Sequence, residues 1–506
     1  MGSAKRIIIN TGVQYVKAII TTGLSLYSTR LILDALNIND FGIYSVIAGI
    51  VAMLGFITNA LIITTQRYLS VYKSKEDASI MLKLFSNSLL IHLVLGVFVS
   101  ILLLSIEGLL FEKVLNIETS RTETAKIVYV IAVLMLFFTI LTSPFKAIFI
   151  AHENIIYIAS VEIVDSIVKV LLAIGLAYIS YDKLLVYAVM MAAIVFLNLL
   201  AFSIFGMISF KECSIIIRKK DIDIRYIRNL TGFAGWTTYG TACVAARNQG
   251  TAVVLNHFFS TVVNAAYGIA FQINGAIVFL VVSIQNAMNP QLMQAEGIGN
   301  REKMLKMATQ LSKFSVAILN IVIIPLAVEM PAILNLWLKD VPEGTTMFCR
   351  YILIAFLADQ ITLGLSSANQ AMGQIRIFSL LTYTPKLVYL LVIWVILAQG
   401  GTAESIMILY VAVELTVALI RIPYMKHKAG LSMRSYRQEV IMPVILQAST
   451  VAGVCWLCTM YLATPYRFLL TTLCAVVIGL VTGWVFVLNS TERDYAKKNI
   501  KKMIER

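Results

Sequence analysis

Charged side chains occur inside long apolar stretches of this 506-residue chain, where an ionisable group is costly. Such groups usually bind an ion or a substrate, or they form ion pairs that hold helices together. The cations in such positions are Lys17, Arg30, Arg247 and Lys386. The other candidates are Asp34, Glu162, Asp165, Lys169, Asp359 and Glu414. We expect this set to serve substrate binding, ion coupling or charge balance.

The first apolar stretch carries a polar stripe. Four of its members are Asn10, Gln14, Lys17 and Thr21. With 3.6 residues per helical turn they lie within about 80° of one another, so they should face protein or water and line a cavity. Arg30 lies on another face, one turn from Asp34, which predicts an ion pair at the outer end of the stretch. A turn rich in Asn and Asp is predicted to follow.

The fifth apolar stretch places Glu162, Asp165 and Lys169 on one face. The i,i+4 spacing favours a pair between Asp165 and Lys169. A structural trio that is neutral within itself and a functional cluster are both consistent with this pattern.

Composition indicates a membrane protein. The chain is 59% hydrophobic and 13% charged, whereas soluble domains are about 25% charged. The net charge of +14 does not require nucleic acid, because the chain has no long polar stretch to form a basic soluble domain.

We expect no cleavable signal peptide, since the apolar run after Arg6 is too long for one. The Cys455–Cys458 CxxC has apolar flanks and is interpreted as buried thiols, and no His or Cys spacing predicts a metal site.

Fourteen apolar runs are long enough to be transmembrane helices. They lie near 7–33, 41–66, 82–105, 125–149, 154–179, 184–209, 232–257, 262–288, 311–335, 349–372, 378–399, 402–425, 441–462 and 465–489. With the N terminus inside, 29 of the 41 Lys and Arg fall on the cytoplasmic side, seven on the opposite side and five within the runs. This bias predicts that both termini are cytoplasmic.

Weak internal similarity, offset by about 220 to 225 residues, relates the first six runs to the next six. Met81-Leu82-Lys83, for example, has a counterpart in Met304-Leu305-Lys306. The predicted fold is therefore an all-α polytopic membrane protein of two six-helix lobes, related as parallel repeats, plus two C-terminal helices. The predicted divisions are 1–220, 221–430 and 431–506, the last including a basic cytoplasmic tail.

The segments STRLILDALNINDFGIYSVIAGIVAML and QRYLSVYKSKED, with Thr29-Arg30 and Asp40–Tyr44 closest to the pattern, resemble the start of one transporter family. It is the polysaccharide-transporter branch of the multidrug/oligosaccharidyl-lipid/polysaccharide (MOP) exporter superfamily, which includes O-antigen flippases and is MATE-like. The resemblance implies a V-shaped pair of lobes that alternates access to a central cavity in the bacterial inner membrane. It also implies an undecaprenyl-diphosphate-linked oligosaccharide substrate, such as an O-antigen unit of lipopolysaccharide.

That substrate suits a cationic cavity, which Lys17, Arg30, Arg247 and Lys386 could supply. An ion gradient, with proton or sodium as the coupling ion, or the membrane potential would drive transport, and no cofactor is expected. Candidate partners besides membrane lipids are a polysaccharide polymerase or glycosyltransferases. A cation-coupled multidrug extruder is the alternative on the same fold. A membrane enzyme is disfavoured, because the chain has no ATP-binding or hydrolase motif and its longest outer loop has only about 19 residues.

Overall fold

The computed structural model describes residues 3–52, 54–73, 78–114, 117, 119–259, 261–338, 341–462, 466–494 and 497. Within these ranges the regular secondary structure is entirely helical. The α-helices are α1 (Ser3–Ala52), α2 (Gly55–Lys73), α3 (Ala78–Ser105), α4 (Glu107–Leu109), α5 (Thr122–Ala151), α6 (Ile155–Leu176), α7 (Lys183–Ser209), α8 (Ile224–Phe258), α9 (Thr261–Gly297), α10 (Arg301–Val328), α11 (Met330–Trp337), α12 (Thr345–Gln360), α13 (Leu363–Met372), α14 (Ile375–Ala398), α15 (Ala403–Ala429), α16 (Met433–Tyr436), α17 (Met442–Tyr461) and α18 (Arg467–Thr482).

The chain forms two compact units. Unit 1 contains Met1–Ala242 and Asn289–Gly299, and unit 2 contains Cys243–Met288 and Asn300–Arg506. Helices α8 and α9 each contribute to both units, because the divisions fall within them. The three-part division at 220 and 430 stays a prediction.

Unit 1 is built around α5, which packs against α2, α3 and α7. Its fully buried Tyr129 donates a hydrogen bond to the Leu103 carbonyl of α3 at 2.7 Å, which satisfies the phenol inside an apolar core. At the other end of α5, Phe149 stacks with Tyr157 of α6, with 4.7 Å between the ring centroids. These contacts fix the positions of the helices that carry the charged residues of unit 1.

Unit 2 has α10 at its centre, in contact with α12, α13, α17 and α18. The last two helices pack on α10 through Val451, Cys455 and Ala475. Asn320 of α10 donates hydrogen bonds to the Val444 carbonyl at 3.0 Å and to Gln447 Oε1 at 3.2 Å. The C-terminal helix pair is thus part of unit 2.

Among the described residues, nine helices are long and apolar enough to cross a membrane. The pair α12 and α13, bent by 45° at its break, makes a tenth if it is one span. These ten match ten of the fourteen predicted segments. The other four, 7–33, 41–66, 154–179 and 232–257, are largely helical in the described residues but are not among these ten. In α6 this is due to Glu162, Asp165 and Lys169, which fall close together in a 22-residue helix. The count of fourteen and the orientation of the termini stay predictions.

The turn predicted after Asp34 is wrong, because α1 continues through residues 34–40 to Ala52. The chain turns instead near Leu54, whose N–H donates to the Val51 carbonyl at 3.1 Å. Asn and Asp only weakly oppose a helix, and no proline interrupts this one. Arg121 also binds Asp40, with 2.9 Å from Nε to Oδ1, so this carboxylate is engaged by a distant segment.

Helix starts repeat along the chain with offsets within the range noted in the sequence. Helix α3 begins at Ala78 and α10 at Arg301, 223 residues later. Helix α6 begins at Ile155 and α14 at Ile375, 220 residues later. By the same comparison α5 corresponds to α12 and α7 to α15. The charged helices of the two units can therefore be compared position by position.

Candidate functional site

Unit 1 contains a cavity of about 580 Å³ among α1, α2, α5, α6 and α7. Hydroxyl and amide side chains of Thr58, Asn59, Thr142, Ser143 and Asn198 lie in its otherwise largely apolar wall. Such groups offer hydrogen bonds in both directions, as a sugar requires. The charged residues of the wall are concentrated on α5 and α6.

Glu162 of α6 bridges two cations in unit 1. One carboxylate oxygen lies 2.7 Å from Lys17 Nζ of α1, and the other contacts Lys146 Nζ of α5. The side chains of Lys17 and Lys146 are 20% and 31% exposed. The bridge therefore joins three helices while remaining accessible to solvent.

Asp165, one turn from Glu162, forms the second charged contact of this cavity. It lies 2.7 Å from Lys169 Nζ and accepts a hydrogen bond from Asn198 Nδ2 of α7, also at 2.7 Å. The i,i+4 pair expected from the sequence is present. The trio on α6 is not neutralised internally, however, because Glu162 is bound by Lys17 and Lys146. The cluster holds three cations and two carboxylates, a surplus of one positive charge.

Unit 2 contains a cavity of about 400 Å³ lined by α8, α9, α12, α13, α14 and α15. Its ionisable wall residues include Arg247, Asp359, Lys386, Glu414 and Arg421. These again comprise three cations and two carboxylates. This cavity therefore has the same surplus of one positive charge as the charged cluster of unit 1, in which Lys17 lies outside the cavity wall.

Glu414 of α15 is the bridging carboxylate of unit 2. Lys386 Nζ of α14 lies 2.8 and 2.9 Å from its two oxygens, and Arg247 Nη1 of α8 contacts Oε1. The Arg247 guanidinium also stacks over the Tyr410 ring, 4.2 Å from its centroid, and its Nε donates to Asn248 at 3.1 Å. All three charged side chains are at most 7% exposed. This buried triad holds α8, α14 and α15 together.

The second carboxylate of unit 2, Asp359, lies next to the break between α12 and α13. Arg421 Nη1 donates to Asp359 Oδ1 at 2.8 Å and to Thr362 Oγ1 at 3.2 Å. A bend in a buried helix frees backbone carbonyls, and the same guanidinium nitrogen also lies 3.4 Å from the Asp359 carbonyl. Arg421 thus supports the bend and adds a third cation to the cavity.

The structure groups the predicted residues by unit. Arg247, Lys386, Asp359 and Glu414 come together in unit 2, and Lys17, Glu162, Asp165 and Lys169 come together in unit 1. The side chain of Arg30 lies outside the described residues, so its pairing with Asp34 stays a prediction. The Asp34 side chain is exposed.

The polar residues predicted to line a cavity with Lys17 have other contacts. Asn10 is buried and donates to the Glu153 carbonyl at the corner between α5 and α6. Gln14 is also buried, and the Thr21 hydroxyl donates to the Lys17 carbonyl of its own helix at 2.9 Å. Among the described residues, the wall of the unit 1 cavity does not include these three side chains.

Sequence reasoning does not single out Lys146 and Arg421, which count among the 29 Lys and Arg predicted to lie on the cytoplasmic side. Both lie inside the predicted apolar segments, 125–149 and 402–425, and this was the available signal. Arg421 is 3% exposed and Lys146 contacts the bridging Glu162. In the described part of the chain no group of His, Cys, Asp and Glu is arranged to hold a metal ion.

Comparison with known proteins supports a transporter fold. A family model described as polysaccharide biosynthesis protein matches residues 3–296. A solved MOP superfamily transporter from Pyrococcus furiosus is 13% identical, with a TM-score of 0.71, over 85% of this chain and 96% of that chain. The structure of a MATE transporter in its straight conformation is 15% identical, with a TM-score of 0.71, over 85% of this chain and 97% of the other. The search of curated proteins returned no match.

Proposed function

This chain belongs to the polysaccharide biosynthesis protein family and has the fold of multi-pass membrane transporters, and we propose that it is a flippase for an anionic, lipid-linked glycan. The substrate we propose is an undecaprenyl-diphosphate-linked oligosaccharide, a unit of O-antigen or of another surface polysaccharide. Transport would occur across the bacterial inner membrane by alternating access, driven by an ion gradient or the membrane potential.

One observation carries the proposal, namely the surplus of buried cations in the unit 2 cavity. Arg247, Lys386 and Arg421 face only two carboxylates, and all five groups line one cavity. Guanidinium and ammonium groups bind phosphate oxygens through short, charge-assisted hydrogen bonds. In a buried site these bonds are not weakened by competing water. The cavity is therefore suited to a phosphate or diphosphate group.

Unpaired polar atoms in the same wall support a polar ligand. Arg421 Nε, Asn274 Oδ1 and Ser366 Oγ are buried and have no hydrogen-bond partner among the described residues. Buried polar atoms normally have partners, so these three can accept or donate bonds to a bound molecule. An organic cation, the substrate of the alternative multidrug extruder, would meet a surplus of like charge here.

A reconstituted transport assay tests the proposal. Proteoliposomes would contain a fluorescent undecaprenyl-diphosphate oligosaccharide, and its movement between leaflets would be followed by access of a membrane-impermeant quencher to the labelled glycan. We expect the purified protein to accelerate this movement, and Arg247→Ala to reduce the acceleration at least about tenfold. Lys428→Ala removes an exposed cation from α15 and is the matched control, with an unchanged rate expected.

Two outcomes would contradict the flippase proposal. The first is movement of the lipid-linked glycan no faster than in protein-free vesicles. The second is accumulation of an organic cation such as tetraphenylphosphonium in the same vesicles, driven by a proton or sodium gradient, which would favour the multidrug extruder.

A further inference from the structure

Glu414 is already paired with the two cations that would bind an anionic substrate. Lys386 Nζ lies 2.8 and 2.9 Å from its two oxygens, and Arg247 contacts Oε1. A phosphate group that binds these same donors must compete with this carboxylate. The unit 2 cavity therefore contains an internal anion in the position of a ligand.

Among the described residues, the surroundings of Glu414 offer it no further cation that is not already paired with a carboxylate. The other charged and titratable groups near it are Asp359 of α12, Tyr383 of α14, and Tyr410 and Arg421 of its own helix. The two phenols are neutral, and Arg421 is bound to Asp359 and Thr362. A carboxylate that loses its cations in such a buried site is stable only in its neutral form.

We propose that Glu414 is the resident counter-ion of this cavity and that a phosphate or diphosphate group of the substrate replaces it on Arg247 and Lys386, with uptake of one proton by Glu414. The exchange breaks the N–H···O bonds to the carboxylate and forms equivalent bonds to phosphate oxygens. The proton comes from water and protonates the displaced carboxylate. No covalent bond of the substrate changes. The inference rests on the proposed anion-binding function of the site.

The charge of the cavity agrees with this exchange. The five side chains carry a surplus of one positive charge, and protonation of Glu414 raises the surplus to two. A diphosphate that is esterified at both ends carries about two negative charges near neutral pH, so the loaded cavity becomes neutral. A neutral, buried complex avoids the large cost of an unpaired charge in a low-dielectric site.

The exchange also decides the direction of proton movement. Since anion binding and proton uptake occur together, substrate and proton cross the membrane in the same direction. A proton gradient that is acidic outside would therefore oppose export through this site. The transported species, a diphosphate with two negative charges and one proton, together carry one negative charge outward. An inside-negative membrane potential favours this movement. The membrane potential is thus the driving force that fits the cavity.

Titration calorimetry can count the protons. The probe is P1,P2-dimethyl diphosphate, a diester with no group that titrates near neutral pH. It would be titrated into the full-length protein in nanodiscs, in two buffers that differ in ionisation enthalpy. We expect wild type to take up about one proton per bound probe. Glu414→Gln should bind the probe about tenfold more tightly, since no anion competes, and should take up no proton.

Glu404→Gln is the matched control, because it removes an exposed carboxylate of the same helix, α15, outside the cavity wall and leaves Glu414 on both cations. It should retain the proton uptake. Wild-type binding without proton uptake, or an uptake that persists in Glu414→Gln, would overturn the counter-ion exchange and leave the anion site intact. Failure of wild type to bind the probe would instead contradict the proposed function. The wild-type measurement decides the matter even if a variant does not fold.

Discussion

Lys386 of α14 donates to both carboxylate oxygens of Glu414 on α15, at 2.8 and 2.9 Å, while Arg247 of α8 binds the same carboxylate. One buried anion therefore serves two cations from different helices. Unit 1 contains the same arrangement with other residues, since Glu162 serves Lys17 and Lys146. In each unit one of the two cations comes from the first helix of the repeat, α1 or α8. A bridging carboxylate is thus a common feature of both units.

Lys386 and Glu414 should be energetically coupled. Lys386→Met removes one partner of a buried carboxylate, and loss of a partner from a buried ion pair costs about 3–5 kcal/mol. Glu414→Gln leaves two cations together and should also destabilise the protein. The double variant Lys386→Met/Glu414→Gln keeps one cation and one neutral amide, so it should recover much of the loss. Thermal unfolding of the purified variants, arranged as a double-mutant cycle, measures the coupling. Losses that simply add would show that the pair is not coupled.

Lys17 and Lys146 should be partly redundant in unit 1. Each single change to Met leaves Glu162 with one cation, so we expect the rate of glycan translocation to fall several-fold. The double variant leaves Glu162 unpaired and the cavity with one cation fewer than carboxylates, so translocation should be lost. The leaflet-exchange assay in proteoliposomes compares the three proteins. A double variant as active as either single variant would exclude a role for this bridge in binding anions.

The sequence was sufficient to predict most helices but not their interruptions. Apolar runs longer than about 20 residues predict spanning helices because lipid requires internally satisfied backbone hydrogen bonds. The break predicted after Asp34 relied on local turn preferences, which are weak. The contact between Asp40 and Arg121 joins residues 81 positions apart, and no local pattern indicates it.

The candidate site was predictable as a set of residues but not as a set of contacts. Arg247, Lys386 and Glu414 stand out because ionisable groups are rare in apolar runs. Their association depends on packing between helices, since Arg247 and Glu414 are 167 positions apart in the sequence. Lys146 and Arg421 lie near the ends of their apolar runs, and this position alone predicts a place at the cytoplasmic surface. Only the bends and packing of the helices bring them into the cavities.

Arg467 should stabilise the attachment of the C-terminal helices. Its guanidinium donates to Glu329 at 3.0 Å, and Thr471 donates to the same carboxylate at 2.9 Å. The Glu329 side chain is 0% exposed, so Arg467→Ala leaves a buried carboxylate with one neutral donor. We expect a loss of about 1–3 kcal/mol in unfolding free energy. Arg434→Ala, which removes an exposed cation of unit 2, should have no effect in the same denaturation experiment. Equal stability of Arg467→Ala and Arg434→Ala would show that Arg467 does not stabilise the attachment of the C-terminal helices.

Glu492 should make the stability of the protein depend on pH, so that stability is lost in acid. Burial alone would raise the pKa of Glu492, but its hydrogen bonds with Lys313 and Asn489 lower that pKa below its ordinary value. A carboxyl whose pKa is lower in the folded state stabilises the fold at neutral pH and loses this effect as the pH falls through the lowered pKa. Melting temperatures measured from pH 7 downward should therefore fall more steeply for wild type than for Glu492→Gln. Glu439→Gln, at an exposed carboxyl, should follow wild type. Parallel curves for all three proteins would exclude the contribution.

Gly364 should be essential for the packing of α13 against α10. A Cβ atom at this position would lie 1.8 Å from the Ala308 carbonyl oxygen of α10, and the Gly364 N–H donates to Ser312 Oγ at 2.9 Å. Backbone atoms cannot move aside as a side chain can, so Gly364→Ala should separate the two helices. We expect the free energy of unfolding to fall by at least about 1–3 kcal/mol, the usual cost of overpacking. Gly453→Ala is the matched control, because a Cβ there meets no atom within 4 Å, and it should be neutral or slightly stabilising.

The two variants would be compared by thermal unfolding and by leaflet exchange of the labelled glycan. Because the break before α13 also positions Thr362 and Asp359 for Arg421, Gly364→Ala should lose transport together with stability. A variant with wild-type stability and transport would show that the close approach of α13 to α10 does not support the cavity.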